Sequence, residues 1–222
     1  MLPRILIDTA EIPDGGTLRL MQRGEEFSIM IGSNELMNSR LSGSEEALAT
    51  MSLDRLSGNS KPHLLIGGLG MGFTLQAALA ALGPDAEVTV AELIPEVVDW
   101  ARGPMTKLFA GSLEDPRVNI RVADVGDLIR DNRGHYDAIL LDVDNGPDGL
   151  THESNDRLYD RKGLRAAKAA LRPGGILAIW SAAPDQRFTK RLKDTEFAVE
   201  EVRVRATSGG RGAHHIIWFA QA

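Results

Sequence analysis

The sequence predicts an α/β fold, a mostly parallel sheet covered by helices on both faces, and three observations carry that prediction. An apolar run, His63 to Ile66, ends in the glycine cluster Gly67, Gly68, Gly70 and Gly72, the way a strand passes into a ligand-binding helix. From there short apolar runs alternate with helical periodicity as far as residue 194, which marks a parallel sheet. Lastly, residues 198–205 and 213–220 are joined by a Gly-rich turn too short for a crossover helix, so they must pair antiparallel.

Taken in order, residues 1–60 read as a small N-terminal β segment with a linking helix, and residues 61–222 as the main domain. The stretches 17–23 and 26–31 alternate and are separated by Gly-containing turns, as in an antiparallel meander. A helix is expected from Ser44, with Glu45 and Glu46 in its first turn and Leu48, Met51 and Leu56 on its apolar face. Strands follow at 63–67, 87–92, 118–123, 137–142 and 175–181, with helices at 72–82, 95–110, 157–171 and 185–194. Pro95 suits a helix start, and Arg172-Pro173-Gly174-Gly175 suits a helix end. Five parallel strands closed by an antiparallel hairpin predict a Rossmann-like seven-stranded sheet of the methyltransferase type, whereas dinucleotide dehydrogenases continue with a second βαβ half.

Composition narrows the function. The 222 residues are 43% hydrophobic and 25% charged, an ordinary soluble balance, and the net charge of −6 argues against nucleic acid and for a small or cationic ligand. Without cysteine there are no disulfides, thiolate nucleophiles or Cys-based zinc sites, and the five histidines show no HExxH spacing, so no metal is expected. Pro3, Arg4, Asp8, Glu11 and Asp14 interrupt the first residues, and no apolar stretch reaches membrane-spanning length; a cytoplasmic protein is expected.

The loop reads Gly68-x-Gly70-x-Gly72. Phe73 and Leu75 are too large for the third small residue that a pyrophosphate fingerprint needs, and no Gly-Lys-Ser/Thr closes a phosphate loop. A GxGxG turn fits S-adenosylmethionine, whose methionine end packs on the loop without a pyrophosphate; Gly67, Gly68, Gly70 and Gly72 are the expected contacts. Glu92 ends the next strand about twenty residues beyond the last glycine, where an acid can hold ribose hydroxyls, with Leu93 beside it. Asp124 ends the third strand next to Val125, placed to accept from an adenine amino group, to cap the helix that follows, or both.

Asp142 closes an apolar run and should point into the crevice as a base or cation partner, while Asp144 and Asn145 continue toward the acceptor. The bland alternative is a solvated acidic loop. A calcium loop is disfavoured because Gly146 falls on a ligand position. Serine catalysis has no support: there is no GxSxG elbow, and spacing offers Ser44 or Ser181 neither a histidine nor an acid. His214 and His215 are successive strand residues facing opposite ways, so they read as core or surface histidines.

These residues resemble the spermidine synthase-like branch of the class I S-adenosylmethionine-dependent methyltransferase superfamily. The resemblance is carried by Leu64-Leu65-Ile66-Gly67-Gly68, Ala91-Glu92-Leu93, Asp115-Pro116-Arg117-Val118, the run from Tyr136 to Asp142, and Leu171-Arg172-Pro173-Gly174-Gly175. It implies S-adenosylmethionine or its decarboxylated form as cofactor, Glu92 on ribose, Asp124 on the adenine side and Asp142 on the attacking amine. True aminopropyltransferases carry an acid where Gly70 stands, Tyr-His-Glu where Ser44-Glu45-Glu46 stands, and a second acid where Asn145 stands. These departures favour methyl transfer to a small nucleophile, with aminopropyl transfer in polyamine synthesis as the alternative and cofactor binding without catalysis as a second. The partner expected is a small-molecule acceptor, an amine among the candidates, and a homodimer is compatible with it.

Overall fold

The computed structural model describes residues 2–13, 15–56, 58–143, 157–207 and 212–222. Four antiparallel strands come first: β1 (Ile5–Glu11), β2 (Thr17–Arg23), β3 (Glu26–Ile31) and β4 (Asn34–Asn38), in sheet order 1-2-3-4. Helix α1 (Gly43–Asp54) leads to the central sheet. Its strands are β5 (His63–Gly67), β6 (Glu87–Glu92), β7 (Val118–Val122), β8 (Tyr136–Leu141), β9 (Leu171–Ser181), β10 (Ala198–Arg205) and β11 (His214–Gln221), in spatial order 10-11-9-8-5-6-7. The five strands β5 to β9 run parallel, and β11 lies antiparallel between β9 and β10. This is the α/β sheet with a terminal antiparallel hairpin that the alternation predicts.

Strands β5 and β8 are buried at every position because helices cover both faces, which is why they read as unbroken apolar runs. The covering helices are α2 (Phe73–Ala81), α3 (Pro95–Arg102), α4 (Thr106–Phe109), α5 (Val125–Asp131), α6 (Arg161–Ala170) and α7 (Gln186–Asp194). The expected helix at 95–110 is two pieces, since Gly103 leaves helical geometry and Pro104 follows it. Strand β9 starts four residues before the expected 175, because helix α6 stops at Ala170 and the Arg172-Pro173-Gly174-Gly175 segment already lies against β8.

The N-terminal sheet shares the central sheet's core: Ile12, Leu18, Leu20 and Ile29 pack in one cluster with Leu64, Ile66, Val97 and Trp100. The Trp100 indole N–H donates to Asp8 Oδ2 at 2.7 Å, which anchors β1 to α3 and holds the Asp8 carboxyl below its usual range. Among the described residues no helix is long and apolar enough to cross a membrane.

At the amino edge of the parallel strands, Asp137 accepts from the His63 backbone N–H at 2.7 Å, Asn59 Nδ2 at 2.9 Å and Arg172 Nη1 at 2.6 Å. It thereby ties β5, β8 and β9 together. Asp137→Ala strands a buried N–H and removes a charge-assisted pair, so we expect a loss of about 2–4 kcal/mol, read as a lower urea midpoint at unchanged slope.

Candidate active site

Strand order reverses between β5 and β8, and their carboxyl ends open the crevice in which ligands of such sheets collect. The glycine loop leaves β5 there. Gly68 has φ of +86°, and a Cβ on it would lie 2.8 Å from the Asp142 carbonyl oxygen, so only glycine lets the loop cross the end of β8 this closely. Gly70 has φ of +49°, and its Cα faces Met37 of the N-terminal sheet, where a Cβ would meet the sulfur at 2.6 Å.

Glu92 is buried at the end of β6, and its two carboxylate oxygens accept from backbone N–H groups of Leu69 and Ile94, each at 2.9 Å. Burial raises its pKa, opposed by those two amides and by the amides of Gly70 and Leu93. Glu92 is therefore held rigidly across the loop, with lone pairs left for further hydrogens. Asp124 caps α5, its Oδ1 accepting from Gly126 N–H at 2.7 Å, so the capping role weighed for it is occupied.

Asp142 follows the last residue of β8. Its Oδ2 accepts from the Thr74 hydroxyl at 3.1 Å, and burial together with repulsion from Glu45 pushes its pKa up to about 7. Glu45 sits in the first turn of α1, its own pKa raised by burial. Its neighbour Ser44 is fully buried and does not cap the helix; the Ser44 hydroxyl lies 2.7 Å from Glu45 Oε2 and 2.8 Å from His215 Nδ1 on β11. Burial holds the His215 pKa below its usual value, and the Trp180 ring packs against the imidazole edge-on at 4.7 Å.

A cavity of about 160 Å³ gathers most of these groups: Gly68, Gly70, Glu92, Leu93, Asp124, Val125 and Asp142 all line it. Its opposite wall comes from the N-terminal sheet, from Ile12, Leu18, Ile29, Leu36 and Met37, which the sequence reading did not connect with the site. Two expected contacts are absent from the lining. Gly67 is small so that Leu141 and Val125 can close over it, at 3.0 and 3.1 Å from a Cβ, and Gly72 makes room for Phe109, at 2.3 Å. Asp144 and Asn145 lie outside the described residues. Among the described residues no three His, Asp or Glu side chains converge on a metal position. Sequence reasoning also missed Thr74 and Glu45 acting on Asp142, and Ser44 and His215 joined to Glu45. Ser44, read as lacking a histidine and an acid, has both within hydrogen-bond distance.

Comparison with known proteins adds family to geometry. A polyamine aminopropyltransferase of Nitrosomonas europaea is 34% identical over 131 residues, covering 59% of this chain and 38% of that protein. Polyamine aminopropyltransferase 1 of Streptomyces coelicolor is 34% identical over 163 residues, covering 70% of this chain and 30% of its own length. This chain thus spans about a third of the length of the curated relatives it matches. The crystal structure of spermidine synthase from Thermotoga maritima superposes with a TM-score of 0.76 at 17% identity, over 97% of this chain and 72% of that one, a likeness of fold.

These relatives overturn the expectation of methyl transfer, which rested on Gly70, Ser44 and Asn145. The physical reason is visible in the site. The loop amides expected to receive a cofactor carboxylate already face Glu92, and Glu45 of α1 adds negative charge that acts on Asp142. The family model for the spermine/spermidine synthase domain matches residues 43–194, from the helix bearing Ser44 and Glu45 through the last helix of the sheet, and the chain belongs to that family.

Proposed function

We propose that this protein transfers the aminopropyl group of decarboxylated S-adenosylmethionine to a small aliphatic amine such as putrescine. The observation that carries this reading is the placement of Asp142 just past the carboxyl end of β8, in the crevice lining with Glu92 and Asp124, where the charge of Glu45 also repels it and a bound cation relieves that repulsion. The residues present fit the cofactor. Leu93, Ile94, Ala123 and Val125 give an apolar bed for a nucleoside, Glu92 takes the ribose hydroxyls, and Asp124, which lines the cavity while capping α5 through Oδ1, has its other oxygen to offer an adenine amino group.

The cofactor supplies an activated carbon next to a sulfonium, and the chain's residues position and deprotonate the amine. As the amine nitrogen bonds to that carbon, the C–S bond breaks, sulfur keeps the electron pair as a neutral thioether, and Asp142 accepts the proton that the ammonium sheds. Positioning supplies most of the acceleration and the base the remainder.

Two outcomes test the reading. Incubation with putrescine and decarboxylated S-adenosylmethionine should yield spermidine and 5′-methylthioadenosine in equal amounts, by mass spectrometry; saturable binding with no thioether would leave a cofactor-binding protein only. Calorimetry should also rank decarboxylated S-adenosylmethionine at least tenfold tighter than S-adenosylmethionine, because a cofactor carboxylate is repelled by the acids of the crevice, about 1.4 kcal/mol or more. The reverse order would count against aminopropyl transfer.

A further inference from the structure

We propose that Ser44 and His215 form the route by which the proton released in the reaction leaves the site from Glu45, the acid that repels Asp142. This rests on the transfer reading above. A primary ammonium and a sulfonium become a secondary ammonium and a neutral thioether, so charge balance leaves one proton over per turnover. A carboxylate that keeps that proton cannot serve as acceptor in the next cycle.

Glu45 Oε2, Ser44 Oγ and His215 Nδ1 are joined by contacts of 2.7 and 2.8 Å through a single hydroxyl oxygen. A hydroxyl both donates and accepts, so the line can hold its hydrogens in either direction. With the proton on Glu45, that acid donates to Ser44 while the Ser44 hydrogen faces Nδ1. A proton then moves from Glu45 to Ser44 Oγ as the serine hydrogen passes to Nδ1, and the imidazolium sheds its Nε2 proton to water. His215 is partly exposed, so the imidazole resets its tautomer by exchange with solvent.

The surroundings suit a conduit. Ser44 is fully buried and its hydroxyl is not spent on capping α1, although it lies in the first turn. His215 is fixed from the other side by Trp180 of β9. Burial and the neighbouring His214 keep His215 neutral, so it passes a proton on without storing it, while burial keeps Glu45 and Asp142 ready to take one. The charged and titratable groups facing the line are Asp142, Glu46 beside Glu45, and His214 with Arg203 and Arg205 around it.

The test is steady-state kinetics of the full chain with decarboxylated S-adenosylmethionine and putrescine. Ser44→Ala should lower kcat about tenfold with the amine KM within about twofold and with a larger solvent deuterium effect, and Ser44→Thr should recover most of the loss. His215→Ala should fall similarly and regain about half of its rate when imidazole is added to the buffer. Wild-type kcat in Ser44→Ala, or no imidazole rescue of a folded His215→Ala, overturns the route. A wild type that binds cofactor but forms no thioether refutes the transfer reading instead. The route is then read from the His215 imidazole 15N signal, which should follow the Asp142–Glu45 titration and lose that inflection in Ser44→Ala; a wild-type signal without the inflection overturns it.

Discussion

Asp142→Asn should lower kcat/KM for aminopropyl transfer by about 10³, within the range a single general base contributes, while cofactor affinity changes little. Asparagine keeps the shape and can still accept from Thr74, so the loss isolates proton acceptance from packing. In the wild type kcat/KM should rise with pH through about 7, as the ionised form that accepts the proton fills, and this limb should vanish in the variant. The limb reflects Asp142 together with Glu45, because the charge on Glu45 disfavours ionisation of Asp142. Stability should move the opposite way. The folded pKa of Asp142 lies above its ordinary 3.8, so its contribution to stability is complete below that value and is lost as pH rises through about 7. Asp142→Asn should therefore be more stable than the wild type at pH 8, on the order of 1–3 kcal/mol, with the gap closing toward acid. An inactive variant that is also less stable at pH 8 would place Asp142 in the architecture and not in the chemistry.

Glu92→Ala should weaken binding of 5′-methylthioadenosine at least a hundredfold, about 2.7 kcal/mol. Two effects combine: the ribose loses its acceptor, and the amides of Leu69 and Ile94 lose the carboxylate that fixes the glycine loop. Glu92→Gln should fall between, since its amide nitrogen presents a donor to one of those N–H groups. Calorimetry at matched folded fraction reads both, and an unchanged dissociation constant in Glu92→Ala would remove it from the site.

What the sequence disclosed, it disclosed through local pattern. Strands β5 and β8 are legible because burial on both faces writes continuous apolar runs, and Glu92, Asp124 and Asp142 are legible because each stands at or just past the carboxyl end of a parallel strand. Strand β1 escaped notice because it is an edge strand with Ile5 and Leu6 half exposed and a bulge between Leu6 and Asp8, so no alternation marks it. The second acid escaped for another reason. Glu45, Thr74, Asp142 and His215 come from four separated segments, and only the packing of α1 against α2 and the carboxyl end of the sheet brings them together. Judging acids by their positions along an expected motif therefore registered the gap at Gly70 and not the charge that Glu45 brings to bear on Asp142 from a helix far upstream.

The placement of β11 between β9 and β10 separates the order of synthesis from the order of assembly. Strand β10 leaves the ribosome before β11, the only strand it pairs with among the described residues, so it waits unpaired until residues 214–221 arrive and insert between it and β9. His215 arrives in that same event, so the last step that completes the sheet also completes the polar line to Glu45. A nascent chain that already has its glycine loop and its acids still lacks the imidazole, and any truncation that removes β11 takes the pairing of β10 with it.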